Sequence, residues 1–437
     1  MSATQAIVVG AGIAGLTAAY RLQQAGLAVH VLEAAPHVGG RMITIHWHGH
    51  AIDPGAEFVS GAEKYLLEMV QQLGIQDKLI DYSKEQVGFE VGVMRGGRVY
   101  TVNFMVPTQF LTWKGVSLPA RLSLIKLLPY LIRYRRYDPY HPEAVPADDT
   151  QTMEQFFYQK ISGELFEYWV EPIMDVFCGY TPDDLSARMM LLLFGNYLNT
   201  KLHSFVGGLG FFPETLAGHL SVQTGARVTH IALPADGHGV RVSYEQDGQV
   251  ASLEADLVVV AIPGDLVLGL FDEPRPAWRA FFPKVRYTRV GIVYHLIEQD
   301  DPALDRGGIM FPRQEPWKLS ALGWSRKADG RLLAMSDLKA HLYDPQMGDQ
   351  ELRQTITAEV VRAVPAFEGR IVDQMVFRWS RKVPAMPPGY LTALKAFKDN
   401  PQEGPVYFCG DYLITGSAGA ALASGWQAAD RVLQKGM

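Results

Sequence analysis

The first forty residues constrain the fold of this chain more than any other stretch. A short apolar run at residues 6–9 leads into Gly10-Ala11-Gly12-Ile13-Ala14-Gly15, and residues 16–25 then carry apolar side chains at helical spacing. A second apolar run at residues 29–32 ends at Glu33. The order of strand, glycine turn, helix, strand and acid is typical of the βαβ unit that binds a dinucleotide.

Each glycine of this unit has a physical role. Gly10 permits the tight turn off the strand, Gly12 lets the pyrophosphate approach the backbone, and Gly15 lets the helix pack closely on the strand. The N-terminus of the helix offers free N–H groups to the phosphates. Glu33 follows the glycines by about twenty residues, where a carboxylate accepts both ribose hydroxyls, so FAD or NAD is favoured over NADP.

The composition excludes several classes of protein. A chain of 437 residues, 48% of them hydrophobic, can form two packed domains. The net charge of −6 is spread along the chain, which argues against a nucleic-acid partner. The two cysteines, Cys178 and Cys409, are far apart and form no CxxC pattern, which fits a reducing compartment.

No targeting or membrane-spanning segment is evident in the sequence. The first strand has no basic segment before it, and no run reaches the roughly 18 uninterrupted apolar residues of a membrane span. We therefore expect a cytoplasmic protein, with peripheral attachment to the inner face of a membrane as the alternative.

Three histidines alternate along one short stretch. His46, His48 and His50 would share one face of a strand and could chelate a metal. No cysteine or carboxylate cluster accompanies them. We therefore predict a polar strand face that leads into a turn, and no metal site.

Three blocks of the sequence resemble the superfamily of flavin monoamine oxidases, protoporphyrinogen oxidases and phytoene desaturases. They lie at residues 8–41, 207–263 and 406–429, in the order that the family has them. The resemblance implies an α/β fold in which a discontinuous, Rossmann-type FAD-binding domain carries an inserted α+β substrate domain. It implies FAD as the cofactor, and the protoporphyrinogen oxidase-like branch as the nearest one.

The same resemblance divides the chain between the two domains. Residues 1–80, 205–272 and 375–437 are assigned to the FAD-binding domain. Residues 81–204 and 273–374 are assigned to the substrate-binding domain, with a helical segment at 104–137 that faces either the substrate cavity or a membrane.

The resemblance also implies a set of site residues. The residues predicted to bind the cofactor are Gly10, Gly12, Ile13, Ala14, Gly15, Glu33, Ala34, Gly39, Gly40, Arg41, Gly55, Ala56, Glu57, Val228, Ala261, Pro263, Trp379, Gly410, Asp411, Gly419 and Ala420. Trp379, Tyr390 and Tyr412 are candidates to face the isoalloxazine, with packing between domains as the alternative for the first two. No catalytic acid or base is assigned, because no nucleophile triad or carboxylate pair is evident.

The middle of the chain has a different character. Residues 78–104 alternate polar and apolar side chains around a turn at 95–98, which predicts a hairpin. Residues 104–140 are apolar, aromatic and basic, and fit either a surface helix that enters anionic lipid or an amphipathic helix that covers the substrate cavity. Residues 150–197 are predicted to be helical, like the substrate domain of protoporphyrinogen oxidases.

The resemblance implies an oxidoreductase that removes a hydride from a small hydrophobic substrate, cyclic or polyene, to form a C=C or C=N bond. Oxygen or a quinone would reoxidise the flavin. Amine oxidation is the alternative, and a flavoprotein without turnover is less favoured.

No lysine follows Lys284 in the strand of residues 286–296, and residues 414–423 contain no aromatic, whereas amine oxidases of this superfamily carry both. Residues 88–94 also lack the basic residue that would hold a propionate in protoporphyrinogen oxidases.

Overall fold

The computed structural model describes residues 4–81, 90–103, 106–146, 149–197, 200–233, 239–400 and 404–436. The strands are β1 Gln5–Val9, β2 Ala28–Leu32, β3 Ile45–Trp47, β4 His50–Ile52, β5 Val59–Ser60, β6 Leu79–Asp81, β7 Glu90–Arg95, β8 Arg98–Asn103, β9 Leu202–Phe205, β10 Ser221–Gln223, β11 Arg227–Ala232, β12 Val240–Gln246, β13 Gln249–Ala255, β14 Leu257–Val260, β15 Arg286–Tyr287, β16 Val290–Ile297, β17 Arg306–Met310, β18 Leu319–Arg326, β19 Leu332–Leu338, β20 Ile371–Trp379, β21 Pro384–Ala385 and β22 Val406–Phe408. The α-helices are α1 Ile13–Gln24, α2 Lys64–Gln72, α3 Leu118–Ser123, α4 Leu128–Tyr134, α5 Met153–Lys160, α6 Gly163–Leu165, α7 Glu171–Cys178, α8 Ala187–Tyr197, α9 Phe211–Ala217, α10 Pro276–Phe281, α11 Asp349–Ala363, α12 Tyr390–Asp399 and α13 Ala418–Gly436.

A five-stranded parallel sheet forms the centre of the first structural unit. Its strand order is β10-β2-β1-β14-β22, so strands from the beginning, middle and end of the chain lie side by side. Val8, Val31 and Val259 face α1 and α13, while Ile7 and Val258 face the opposite side, towards the three-stranded sheet β11-β12-β13. Burial on both faces explains why these strands are continuous apolar runs in the sequence.

The first and last helices pack closely at two glycines. A Cβ atom on Gly15 would lie 2.0 Å from the carbonyl oxygen of Gly10, and one on Gly425 would lie 2.0 Å from that of Ala14. Only glycine fits at these contacts, since real Cβ atoms do not approach so near. The predicted role of Gly15 in helix packing agrees with this geometry.

A seven-stranded sheet of order β20-β16-β19-β18-β17-β7-β8 forms the second unit. It is antiparallel except for the pair β17 and β7. α11 covers one face through Leu352, Ile356 and Val360. The other face presents Ile292 and Tyr294 towards β4 and the side chain of Trp379. The predicted hairpin is present as β7 and β8, and its expected beginning at residues 82–89 lies outside the described residues.

The segment of residues 104–140, expected to form an amphipathic helix, is divided into several short helices in its described part. The chain forms a 3₁₀-helix Pro107–Leu111, then α3, a second 3₁₀-helix Leu124–Leu127, and α4. Pro119 and Pro129 stand in the first turns of α3 and α4. Proline lacks an N–H and clashes with the preceding turn, so it divides the apolar stretch into short helices.

The domain boundary expected at residue 375 falls inside β20, which pairs with β16 from Ile371 to Trp379. The last helix begins at Ala418. Within the described residues, no helix has the length and apolar character needed to cross a bilayer.

Candidate active site

The turn from β1 into α1 has the shape of an anion cradle. Gly10 adopts φ +105°, and a Cβ atom there would lie 2.8 Å from the carbonyl oxygen of Ala261. Gly12 is the N-cap of α1, and a Cβ atom on it would meet nothing within 4 Å. Among the residues that the structure describes, no side chain caps this terminus, and the first turn of α1 contains no acid. The free N–H groups of Ile13 and its neighbours therefore border open space, which fits a pyrophosphate.

Glu33 is fixed beside this turn by backbone amides. Its Oε2 accepts a hydrogen bond from the N–H of Ala11 at 2.6 Å, and its Oε1 accepts one from that of Ala35 at 2.7 Å. Each carboxylate oxygen retains a further acceptor position. The carboxylate can therefore accept two ribose hydroxyls, as the sequence predicts.

The remaining residues predicted for the ADP half lie around the same sheet edge. Ala34 follows Glu33, Val228 lies in β11, and Pro263 precedes the 3₁₀-helix Gly264–Leu270. Ala261 donates its N–H to the carbonyl of Val9 at 2.8 Å, just beyond β14. The carboxyl ends of parallel strands are where open α/β sheets bind their ligands.

Gly39 and Gly40 bring the next segment against the glycine turn. The N–H of Gly39 donates to the carbonyl of Ala11 at 2.9 Å, and a Cβ atom on Gly40 would lie 3.3 Å from Cα of Gly12. Both glycines have positive φ angles. This close approach places Arg41 at the far side of the turn.

The guanidinium of Arg41, a predicted cofactor-binding residue, is paired with a carboxylate. Its guanidinium makes bonds of 2.9 and 2.7 Å to the two carboxylate oxygens of Asp411 and donates to the carbonyl of Lys382 at 2.9 Å. Burial by itself lowers the pKa of Arg41, but the pairing with Asp411 raises it above its usual value. The pair therefore adds little net charge at this end of the site.

The N-terminus of α13 carries a carboxylate that the sequence did not reveal. Ser417 donates its hydroxyl to Glu63 at 2.9 Å, and a Cβ atom on Gly419 would lie 2.2 Å from the Glu63 carboxyl carbon. Burial raises the pKa of Glu63 to about 7. Gly419 and Ala420, which are predicted to bind the cofactor, lie in the first turn of this helix, and its dipole faces the Glu63 carboxylate. Glu63 lies in a turn without a motif, so no sequence signal identifies it.

The small-residue turn after β4 is fastened to Arg41. The N–H of Ala56 donates to the carbonyl of Arg41 at 3.1 Å, and a Cβ atom on Gly55 would lie 2.0 Å from that oxygen. Trp379 donates its indole N–H to the carbonyl of Pro54 at 2.7 Å. Trp379 is half-buried against this turn, which keeps it a candidate neighbour of the flavin.

Tyr390 and Tyr412 do not face an open site. Tyr390 is 2% exposed and donates its hydroxyl to the carbonyl of Tyr412 at 2.8 Å. Tyr412 has no exposed surface and packs edge-on against Phe282. Gly410, which adopts φ +154°, lets the chain pass beside the ring of Tyr412. These two tyrosines belong to an aromatic core, because apolar burial outweighs the motif that suggested a flavin contact.

A buried group of carboxylates around one lysine was also missed. Lys382 donates its Nζ to the carbonyl of Val176 at 3.0 Å and interacts electrostatically with Glu57, Asp175 and Asp337. We call these four ionisable residues the carboxylate cluster. Burial raises the pKa of Glu57 to about 7 and that of Asp337 to about 6. Burial also raises the pKa of Asp175 well above its usual value.

The histidines near β3 and β4 have separate partners. His48 Nε2 lies 2.6 Å from Asp373, and His50 Nε2 lies 3.2 Å from Asp329. His46 is exposed. Among residues with described coordinates, no group of three or more histidines, cysteines or acids could hold a metal ion.

Comparisons with known proteins match the whole length of the chain. The family model described as flavin containing amine oxidoreductase matches residues 13–433. Protoporphyrinogen oxidase 2 of Arabidopsis thaliana is 22% identical, over 99% of this chain and 94% of that protein. Coproporphyrinogen III oxidase of Bacillus subtilis is 21% identical, over 90% of each. The structure of cyclohexylamine oxidase from Brevibacterium oxydans has a TM-score of 0.75 at 18% identity, covering 99% of this chain and 100% of that one.

Proposed function

Since the chain belongs to the flavin-containing amine oxidoreductase family and is an FAD-dependent oxidoreductase, we propose that it removes a hydride from a hydrophobic, cyclic or polyene substrate. The product carries a new C=C or C=N bond, as in a protoporphyrinogen oxidase-like or desaturase-like reaction. Molecular oxygen or a quinone then takes the electrons.

The full-length similarity to a porphyrinogen oxidase carries this proposal. It includes the helical insertion of α3 to α8 as well as the FAD-binding blocks, with 99% of this chain and 94% of the relative aligned. β16 is buried along its whole length and contains no lysine. Tyr412 is fully buried, and residues 414–423 contain no aromatic that could enclose an amine. These features favour a carbon-centred substrate over an amine.

FAD fits the candidate site, and each end of it has donors or acceptors of suitable type. The free N–H groups of α1 would bind the pyrophosphate, Glu33 the ribose hydroxyls, and Asp411 a ribityl hydroxyl beside Arg41. FAD, when bound, supplies the acceptor for two electrons. The protein orients the substrate and excludes water, which suits the apolar face of the seven-stranded sheet around Ile292 and Tyr294.

A panel of electron donors tests the reaction. We expect purified protein to be yellow and to oxidise a porphyrinogen or a polyene, with hydrogen peroxide release or quinone reduction as the measurement. Primary amines serve as the comparison set. Protein that can be loaded with FAD but oxidises only amines would contradict the proposed substrate class.

Amine oxidation is retained as the second candidate because of the carboxylate cluster. Glu57 and Asp337 stand beside the predicted flavin-facing turn, and carboxylates attract a protonated amine. Lys382 lies among them and offsets part of that attraction. The same panel of donors distinguishes the two candidates.

Peripheral contact with anionic lipid is part of the proposal. Six aliphatic side chains of the segment 107–134 are each between 51% and 61% exposed: Leu111, Leu118, Leu122, Ile125, Leu128 and Ile132. The same segment turns Phe110, Trp113 and Leu127 into the core. Exposed bases accompany this aliphatic face: Lys114, Lys126, Arg133, Arg135 and Arg136. Aliphatic side chains next to bases are complementary to an anionic bilayer surface.

Vesicle co-sedimentation tests this contact. We expect binding to phosphatidylglycerol vesicles, weaker binding to phosphatidylcholine vesicles, and at least about a tenfold loss in Leu122→Glu/Ile125→Glu, because two aliphatic side chains no longer enter the lipid. Val250→Glu is the matched control, since Val250 is 78% exposed in β13, away from this segment. Equal binding by the double variant and the wild type would contradict the contact and leave this segment as a cover for the substrate cavity.

A further inference from the structure

Two segments that are distant in sequence are both anchored on Arg41. Its carbonyl accepts the N–H of Ala56 at 3.1 Å, and its guanidinium donates to the carbonyl of Lys382 at 2.9 Å. Glu57 is the residue directly after Ala56. The backbone segments that carry Glu57 and Lys382 are therefore both hydrogen-bonded to Arg41, a predicted residue of the cofactor site.

The side chains from these segments converge on the end of α7. The ring of Phe58 lies 5.5 Å from that of Phe177, edge to face, and Lys382 Nζ donates to the carbonyl of the preceding Val176. Glu57 directly precedes Phe58 in the chain and interacts electrostatically with Lys382. Both Glu57 and Lys382 are half-buried, and within the described part of the chain no donor hydrogen-bonds the Glu57 carboxylate.

The charged groups facing Glu57 come from several elements. Lys382 favours its ionised form, while Asp53 before β5 and Asp337 in β19 oppose it. Burial has the largest effect, and the balance of burial and these charges raises the pKa of Glu57 to about 7. A carboxylate with such a pKa exchanges a proton readily near neutral pH. Asp175 of α7 faces Lys382 rather than Glu57.

We propose that Glu57, held beside Lys382, accepts the proton that the substrate loses during oxidation. This inference rests on the proposed function. With FAD bound, the substrate C–H bond would break and its electron pair would leave as hydride, for which the cofactor would supply the acceptor. The bond between hydrogen and the adjacent carbon or nitrogen breaks at the same stage, its electron pair forms the new double bond, and its proton goes to a Glu57 carboxylate oxygen. Oxygen or a quinone later takes the two electrons. Lys382 is a positioning residue that favours the ionised form of Glu57 against the larger effect of burial.

Infrared difference spectroscopy tests the titration without any substrate. FAD-loaded wild type should show the carbonyl band of a protonated carboxyl group at pH 6 and lose part of it by pH 8. Glu57→Gln should lack that component and keep its flavin. Glu171→Gln is the matched control, because burial also raises the pKa of Glu171 to about 7. Glu171 lies at the opposite end of α7 from Phe177, where its carboxylate accepts the N–H of Arg313. Its spectrum should lose a different component.

Single-turnover reduction by the substrate that the donor panel identifies tests the chemical role. The rate in wild type should rise with pH through about 7, and Glu57→Gln should reduce it on the order of 10²- to 10⁴-fold and remove that dependence. Lys382→Met should move the rise to higher pH by about one unit or more, since the cation that favours ionised Glu57 is gone. In Lys382→Arg the rate should again rise at the same pH as in wild type. Glu171→Gln should also keep the wild-type pH dependence.

The possible failures are distinguishable. An unchanged carboxyl band in Glu57→Gln, or an unchanged pH dependence with FAD bound, would overturn the role of Glu57. Protein that oxidises no hydrophobic donor while Glu57 still titrates in the infrared spectrum would overturn the proposed function instead.

Discussion

The nucleotide-binding edge and the carboxylate cluster both hold acids inside the protein, but with different partners. At the edge, Glu33 accepts two backbone N–H groups from Ala11 and Ala35. In the cluster, Glu57 and Asp337 face each other and Lys382. Backbone donors favour the ionised form of an acid and cannot lose their protons, whereas side-chain partners and burial leave the charge adjustable. The first region is built to bind, and the second has the means to exchange protons.

The largest effect should come from a methyl group at the nucleotide-binding edge. Gly15→Ala places Cβ 2.0 Å from the carbonyl oxygen of Gly10, so we expect a loss of about 1–3 kcal/mol of unfolding free energy and of bound FAD. Gly12→Ala adds the same methyl where nothing lies within 4 Å, so the apoprotein should keep its stability and only FAD retention should fall. Thermal unfolding and flavin absorbance measure the two effects. Equal unfolding temperatures for the two variants would contradict the packing role of Gly15.

Neutralising the acid at the nucleotide-binding edge should weaken FAD binding by about 10- to 100-fold. Glu33→Gln replaces an ionised acceptor of two backbone N–H groups by an amide, and hydrogen bonds to a charged group contribute about 1.5–3 kcal/mol. Equilibrium titration of apoprotein with FAD is the measurement. Glu254→Gln is the control, since Glu254 pairs with Arg241 on the exposed surface. Unchanged FAD affinity in Glu33→Gln would show that the Glu33 carboxylate does not contribute to FAD binding.

Neutralising an acid of the carboxylate cluster should be favourable, because it should raise the free energy of unfolding, whereas neutralising Glu33 should weaken FAD binding. Burial raises the pKa of Asp337 from 3.8 to about 6 in the folded chain. Between these values the unfolded chain is ionised and the folded chain is protonated, so stability is lost as pH rises through this window. Asp337→Asn mimics the protonated form and should be about 1–3 kcal/mol more stable than wild type at pH 8, with little difference at pH 4. Urea unfolding at both pH values is the measurement, and a destabilised variant at pH 8 would show that the charge of Asp337 supports the fold.

The difference between backbone partners and side-chain partners explains which site residues could be predicted from the sequence. The roles of Gly10, Gly12 and Glu33 depend on backbone groups within one βαβ unit, so spacing along the chain was enough to predict them. The surroundings of Glu57 depend on Asp337 and Lys382, which are nearly three hundred residues or more away in the printed sequence. Residue 57 was therefore predicted only as a cofactor contact. No local pattern could show that tertiary packing surrounds it with other charges.

Burial separates the three aromatic residues that are predicted to face the flavin. Trp379, Tyr390 and Tyr412 were grouped because similar motifs recur in the family. Only Trp379 remains at the surface of the predicted site, where it bonds to Pro54, and both tyrosines lie inside the aromatic core. A sequence shows that an aromatic residue is present near a motif, but the direction of its side chain depends on neighbours such as Phe282 that come from other segments.

The close contact of Gly425 with Ala14 has a consequence for biosynthesis. The helix that covers α1 and the edge strand β22 are translated some four hundred residues after α1 itself. Until then, the apolar side chains of α1 lack their partner and the nascent chain needs protection from aggregation. Cofactor capture is thereby postponed until these segments have been translated, so a chain interrupted before them would display a nucleotide motif without a finished site around it.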